Sequence, residues 1–160
     1  MGREQEVLGR YSRAAQSAQP ELCCPVAYNQ ELLAILPQEI IEKDYGCGDP
    51  SLYVRQGDTV LDLGSGGGKI CYMAAQLVGA RGSVIGIDMN DDMLALARKH
   101  QDDMERKLGG VHVRFIKGYI QDLAIDLEAT ERFLKNNPVN GITGLDALHA
   151  FNLINGPHSQ

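Results

Sequence analysis

Thr59-Val60-Leu61-Asp62-Leu63-Gly64-Ser65-Gly66-Gly67-Gly68 is the stretch that decides the fold. Val60, Leu61 and Leu63 form the apolar run expected of a strand covered on both faces, as in a parallel sheet. Gly64, Gly66 and Gly68 follow at once and allow a turn with positive φ, where a ligand can approach bare backbone. Beyond the turn, Ile70, Met73, Ala74 and Leu77 recur at i, i+3, i+4 and i+7. That spacing predicts a helix with one apolar stripe against the sheet and its N-terminus aimed at the turn. A strand, a glycine turn and a helix in this order describe a nucleotide site.

Spacing narrows the nucleotide. A Walker loop requires glycine where Leu63 stands and a hydroxyl residue where Ile70 stands. A dinucleotide fingerprint starting at Gly64 requires glycine at Lys69. The pattern present is G-x-G-x-G, preceded by Asp62 at the strand end. A carboxylate there repels a pyrophosphate and suits a ligand bearing an ammonium group, so S-adenosylmethionine is favoured over a nicotinamide or flavin. A glycine turn that holds no ligand is the alternative reading of these ten residues.

Downstream, Gly79 to Gly82 closes the helix and Ser83-Val84-Ile85-Gly86-Ile87-Asp88 reads as a second strand, its acid 20 residues past Gly68. In a doubly wound sheet such an acid faces ribose hydroxyls. Asn90 is suited to cap the next helix, Asp91 and Asp92 suit its positive end, and Met93, Leu96 and Ala97 supply its buried stripe. Val111 to Ile116 reads as a third strand, leading into Lys117-Gly118-Tyr119-Ile120-Gln121-Asp122-Leu123. Upstream, residues 4 to 18 read as a helical appendage. Leu22-Cys23-Cys24-Pro25 follows, then short helical pieces around Glu31 to Leu36 and Glu39 to Ile41, and the turn cluster Tyr45-Gly46-Cys47-Gly48-Asp49-Pro50. From residue 124 the expectation is helical, with Ile125 to Leu134 and a second helix starting near Thr143 or Asp146. No run of four to six strand formers occurs there. The organisation expected is a helical N-terminal segment with cysteine loops over 1–50, a cofactor-binding core over 51–123 and a helical tail over 124–160.

A net charge of −6 argues against nucleic acid or an anionic membrane as partner. The N-terminal MGREQEVLGR lacks the apolar core of a signal peptide and no run of 18 apolar residues occurs, so a soluble cytoplasmic protein is expected. The four cysteines are then expected to be thiols. The four histidines show no metal spacing, no metal site is expected, and Met73, Met93 and Met104 are read as core residues.

Val60 to Gly68, Val84 to Met89 and Gly118-Tyr119-Ile120-Gln121-Asp122 together resemble class I S-adenosylmethionine-dependent methyltransferases. Tyr45 to Pro50, the continuation of Val84 to Met89 into Met93-Leu94-Ala95-Leu96-Ala97-Arg98, and Gly118-Tyr119-Ile120 are similar more narrowly to the arsenite methyltransferase group. The resemblance covers roughly residues 20 to 123. It implies an α/β, Rossmann-like class I methyltransferase fold represented by its N-terminal half, with parallel strands in the order 3-2-1, flanking helices and the later strands missing. It implies that Gly64, Ser65, Gly66 and Gly68 pack against the methionine part of S-adenosylmethionine, while Asp62 is read from its charge as suited to the ammonium group. Asp88 would take the ribose hydroxyls, Met89 the adenine face, and Ile120 with Gln121 or Asp122 the adenine edge. It further implies that Cys47, with Cys23 or Cys24, gathers a soft acceptor such as trivalent arsenic, thiolates being suited to a soft centre, while Cys71 is packing. Lys69 departs from the family pattern and has no role on this reading. Without a fourth strand the first strand keeps an unpaired edge, so self-association or a complementing chain is expected there. A non-catalytic cofactor-binding or interaction fragment is the rival expectation.

Overall fold

The computed structural model describes residues 3–17, 26–46, 48–139 and 141–155. The chain divides into two compact units, Met1–Ile116 and Lys117–Gln160.

The sheet of the first unit is built from β1 (Thr59–Leu63), β2 (Ser83–Asp88) and β3 (Val113–Lys117), in the order β1-β2-β3. This is the expected 3-2-1 order. β1 and β2 run parallel with Thr59 opposite Ser83 and Leu63 opposite Ile87. The third strand begins two residues later than expected, and Val111, though buried, precedes it.

Helix α4 (Lys69–Val78) joins β1 to β2, with Gly68 as its N-cap at φ 87°. Gly86 of β2 is what lets it sit close, since a Cβ there would lie 2.8 Å from Cys71 Sγ and 2.9 Å from Phe115. The expected stripe is corrected by the structure. Cys71, Tyr72, Met73, Ala74, Ala75 and Val78 are all buried, whereas Ile70 and Leu77 are only partly so. The reason is that α4 packs on more than one side. It meets the sheet, and it also meets the short helix α2 (Gln30–Leu33), where Gln76 Nε2 donates to Leu32 O at 2.8 Å. A single stripe describes a helix with one partner.

A second correction concerns β1, which was expected to be covered on both faces. Successive side chains of a strand point to opposite faces. Leu61 and Leu63 lie opposite Ile85 and Ile87 in the register, on the face away from Gly86 and α4, and remain 50% and 48% exposed. An apolar run cannot reveal that only half of it is covered.

Helix α5 (Asp91–Lys99) buries Met93, Leu94, Leu96 and Ala97, and α6 (Gln101–Lys107) buries Met104. Tyr72 links three elements, meeting Phe115 edge-on and donating from Oη to Ala97 O at 2.7 Å. The helices before the first strand pack onto this unit, the second and third on its main core and the first in a separate small cluster. Leu36 and Ile40 of the α2–α3 region, with α3 spanning Gln38–Glu42, join its buried cluster. Ala14 and Ala15 of α1 (Arg3–Gln16) pack with Met93 of α5.

In the second unit, Tyr119 and Asp122 form an isolated bridge. α7 (Leu127–Asn136) is capped by Asp126, whose carboxylate accepts from Ala129 N at 2.8 Å. α8 (Ile142–Asn155) follows, and Phe133 stacks on Phe151 with ring centroids 4.4 Å apart. Among the described residues from 124 onward there is no strand, and the two helices fall where the sequence places them.

Candidate cofactor site

The glycine turn needs its glycines. Gly64, Gly66 and Gly68 have φ of 79°, 52° and 87°, in the left-handed region that other residues rarely adopt. A Cβ on Gly64 or Gly66 would meet nothing within 4 Å, so these two present bare backbone to open space. Gly68 has a second reason, because a Cβ there would come within 2.7 Å of Phe115. The N–H groups of Gly64 and Ser65 both donate to Ile87 O, at 2.8 and 3.0 Å, which holds the turn against the end of β2.

That contact brings the two predicted acids to one place. Asp88, the last residue of β2, accepts Gly66 N–H at Oδ2 and Asn90 N–H at Oδ1, both at 2.8 Å. Its carboxylate is thereby fixed beside the turn, each oxygen keeping a lone pair for a further donor. Met89 follows it, partly buried. Asp62 accepts the Cys71 thiol at 3.3 Å. Burial raises the Asp62 carboxyl above its ordinary value, and the nearby Asp88 and Asp44 carboxylates push it the same way. Cys71 is fully buried, and desolvation followed by the Asp62 charge hold its thiol well above the usual range. It is packing, as expected, with a hydrogen bond that the sequence did not disclose.

Lys69 acquires a role that the sequence left blank. It is 4% exposed, pairs with the Asp44 carboxylate and lies 3.3 Å from the centroid of the Tyr28 ring. Asp44 Oδ2 also accepts Gly46 N–H at 3.1 Å. The segment before the first strand is thus tied to the first residue of α4. Nothing in the sequence flags a partner 25 positions away. Tyr28, Asp44 and Asn90 are further residues of the site region that sequence reasoning did not assign to it.

The donor set fits a cationic, hydroxyl-bearing ligand. The Asp88 and Asp44 carboxylates both act electrostatically on Asp62 around a turn with exposed backbone, and Asp44 is paired with the Lys69 ammonium. Ser65 Oγ is buried and has no hydrogen-bond partner among the described residues, so the turn holds a polar group in reserve. Ile120, Gln121 and Asp122 belong to the second unit and are exposed. Cys23, Cys24 and Cys47 lie outside the described residues. Among the described residues no cluster of His, Cys, Asp or Glu could hold a metal ion. No described helix is long and apolar enough to cross a membrane.

Comparison with known proteins agrees with this geometry. A family model described as "Methyltransferase domain" matches residues 55–147. An arsenite methyltransferase from Aquipseudomonas alcaligenes is 40% identical over 124 residues, 75% of this chain and 36% of that protein. The arsenite methyltransferase of Rattus norvegicus is 30% identical over 146 residues, 85% of this chain and 40% of that protein. The chain therefore spans well under half the length of these curated relatives. A solved structure of an arsenic(III) S-adenosylmethionine methyltransferase from Chlamydomonas reinhardtii superposes with a TM-score of 0.53 at 39% identity, covering 61% of this chain and 34% of that one. With a matching family model over most of the chain, the expected strand order and a glycine turn closed by Asp88, the chain belongs to the methyltransferase domain family, in its class I S-adenosylmethionine-dependent branch.

Proposed function

We propose that this chain binds S-adenosylmethionine at the Gly64–Gly68 turn and serves the methylation of a soft acceptor, trivalent arsenic, gathered by thiolates. The observation that carries the reading is the Asp88 carboxylate, held beside the bare backbone of Gly66 by two hydrogen bonds. Asp88 is placed to accept from vicinal hydroxyls of a ribose. Gly64, Ser65, Gly66 and Gly68 offer backbone and one unpartnered hydroxyl to the amino-acid part of the cofactor, and Asp62 offers an acceptor for its ammonium group. Met89 supplies an apolar face for the base. The cofactor supplies a methyl group on a sulfonium. The acceptor side rests on Cys47 with Cys23 or Cys24, by likeness to arsenite methyltransferases at 40% identity.

A second reading is supported by the half-exposed Leu61 and Leu63 beside a β1 edge that carries no other strand among the described residues. On it, the 160-residue chain binds cofactor and arsenite with little or no turnover. One experiment separates the two. Calorimetric titration with S-adenosylhomocysteine, with NAD as control, is followed by arsenite titration with counting of protected thiols in the wild type, Cys47→Ser and the Cys23→Ser/Cys24→Ser double variant. Binding of S-adenosylhomocysteine but not NAD, with arsenite binding lost in the cysteine variants, supports the proposal. Methylated arsenic product then favours the first reading and its absence the second. Equal or tighter NAD binding, or equal arsenite binding in all three proteins, removes the corresponding half.

A further inference from the structure

Asn90 faces two ways. Its side-chain oxygen accepts from Asp92 N and Met93 N at 3.0 and 3.1 Å, capping α5. A helix cap needs only that oxygen, and Ser, Thr or Asp would serve as well. The amide nitrogen is put to a separate use, donating to Leu8 O at 3.2 Å and to Ser12 Oγ at 3.1 Å, both on α1. The residue is 2% exposed, so these bonds are made away from water. Its backbone N–H binds Asp88 Oδ1, and Asp88 Oδ2 binds Gly66 N–H. An unbroken chain of hydrogen bonds thus runs from α1 through Asn90 and Asp88 into the glycine turn. α1 is also held by Ala14 and Ala15 against Met93, by Tyr11 edge-on to the Tyr45 ring, and by Tyr45 Oη, which donates to Ala14 O at 3.0 Å.

We propose that Asn90 is a positioning residue that couples the docking of α1 to occupancy of the cofactor site. This rests on the cofactor reading above. Asp88 can turn toward ribose hydroxyls only in the rotamer that its two N–H donors fix, and the backbone of Asn90 that supplies one of them is itself anchored to α1. A ligand that stiffens Asp88 therefore stiffens the α1 contact, and loss of that contact loosens Asp88. The coupling is reciprocal, as any coupling of two equilibria must be.

The test uses the full chain and S-adenosylhomocysteine as probe, with hydrogen–deuterium exchange of residues 5–16 and calorimetric affinity as readouts. Asn90→Ser keeps an oxygen for the cap and removes the amide donor. Ser12→Ala removes one acceptor without touching α5 and serves if Asn90→Ser does not fold. Tyr45→Phe loosens α1 at its other end and leaves the relay intact. Expected in the wild type is exchange over 5–16 slowed about five-fold by saturating ligand, the lower end of ordinary coupling. Asn90→Ser should lose that protection and bind about five-fold more weakly, and Ser12→Ala should do so partially. Tyr45→Phe should exchange faster without ligand yet still be protected by it. Ligand binding to the wild type with no change over 5–16, or equal protection and affinity in Asn90→Ser, overturns the coupling. No binding to the wild type overturns the cofactor reading and the coupling with it.

Discussion

The Cys71 thiol donates to Asp62 Oδ2 across 3.3 Å, placing a fully buried sulfur on a carboxylate at the mouth of the glycine turn. A carboxylate in that position is costly in the free protein, because burial disfavours its charge and the Asp88 and Asp44 carboxylates add repulsion. The folded-state value lies above 3.8, so the Asp62 contribution to stability is greatest below the unfolded value and is lost as pH rises through the raised one. Asp62→Asn keeps an acceptor for the thiol and removes the charge. It is expected to raise the melting temperature of the free chain at neutral pH and to weaken S-adenosylmethionine about 10-fold or more, the scale of a hydrogen bond to a charged group. Wild-type affinity should also fall on acidification through the Asp62 value. Differential scanning calorimetry and a titration in parallel check both halves.

Asp88→Ala is expected to weaken S-adenosylhomocysteine about 10- to 100-fold, by loss of charged hydrogen bonds. Because Gly66 N and Asn90 N lose their acceptor, exchange at these two amides should also accelerate, which an acid that merely touched ligand would not cause. Isothermal titration and amide exchange on the same samples measure the two effects.

Gly68→Ala combines two penalties. The residue sits at φ 87°, and the new methyl would stand 2.7 Å from the Phe115 ring and 3.2 Å from Ala97. Left-handed backbone costs about 1–2 kcal/mol and overpacking about 1–3 kcal/mol. Gly64→Ala carries only the backbone term, since open space surrounds that position. Urea denaturation should rank Gly68→Ala as the more damaging.

Lys69→Met removes the ammonium that meets Asp44 and sits over the Tyr28 ring. A loss of about 1.5–3 kcal/mol is expected for a charged hydrogen bond at a buried site. The Lys69→Met/Asp44→Asn double variant should recover part of it, because the Asp44 charge that Lys69 compensates is removed as well. A double-mutant cycle by chemical denaturation supplies the coupling.

Glu39 ties α3 to α5 and the residue after it, accepting from Lys99 and Lys43 and facing His100. Its carboxyl is lowered from 4.5 to about 2, with the Lys99 bond the largest cause. A depressed acid stabilises the fold above its unfolded value and loses that contribution as pH falls, here between 4.5 and about 2. Thermal melts across that range should show a steeper acid loss in the wild type than in Glu39→Gln, and added salt should shrink the difference because Lys99 is largely exposed.

The strand, the glycine turn, Asp88 and the Asn90 cap were legible in the sequence because each is a local device. An apolar run, positive φ and capping act over a few residues, and the residue types they need are set by local backbone geometry. The strand order followed from the same motifs through likeness to a known family. The fate of Lys69, the second use of Asn90, the bond from Cys71 to Asp62 and the open face of Leu61 and Leu63 were decided only in the tertiary structure. Each depends on what another segment places beside it: Asp44 lies 25 residues from Lys69, and Leu8 lies 82 residues from Asn90. A charge or an amide carries no record in the sequence of the distant partner it meets, and an apolar side chain reads the same whether its face of the sheet is covered or left open.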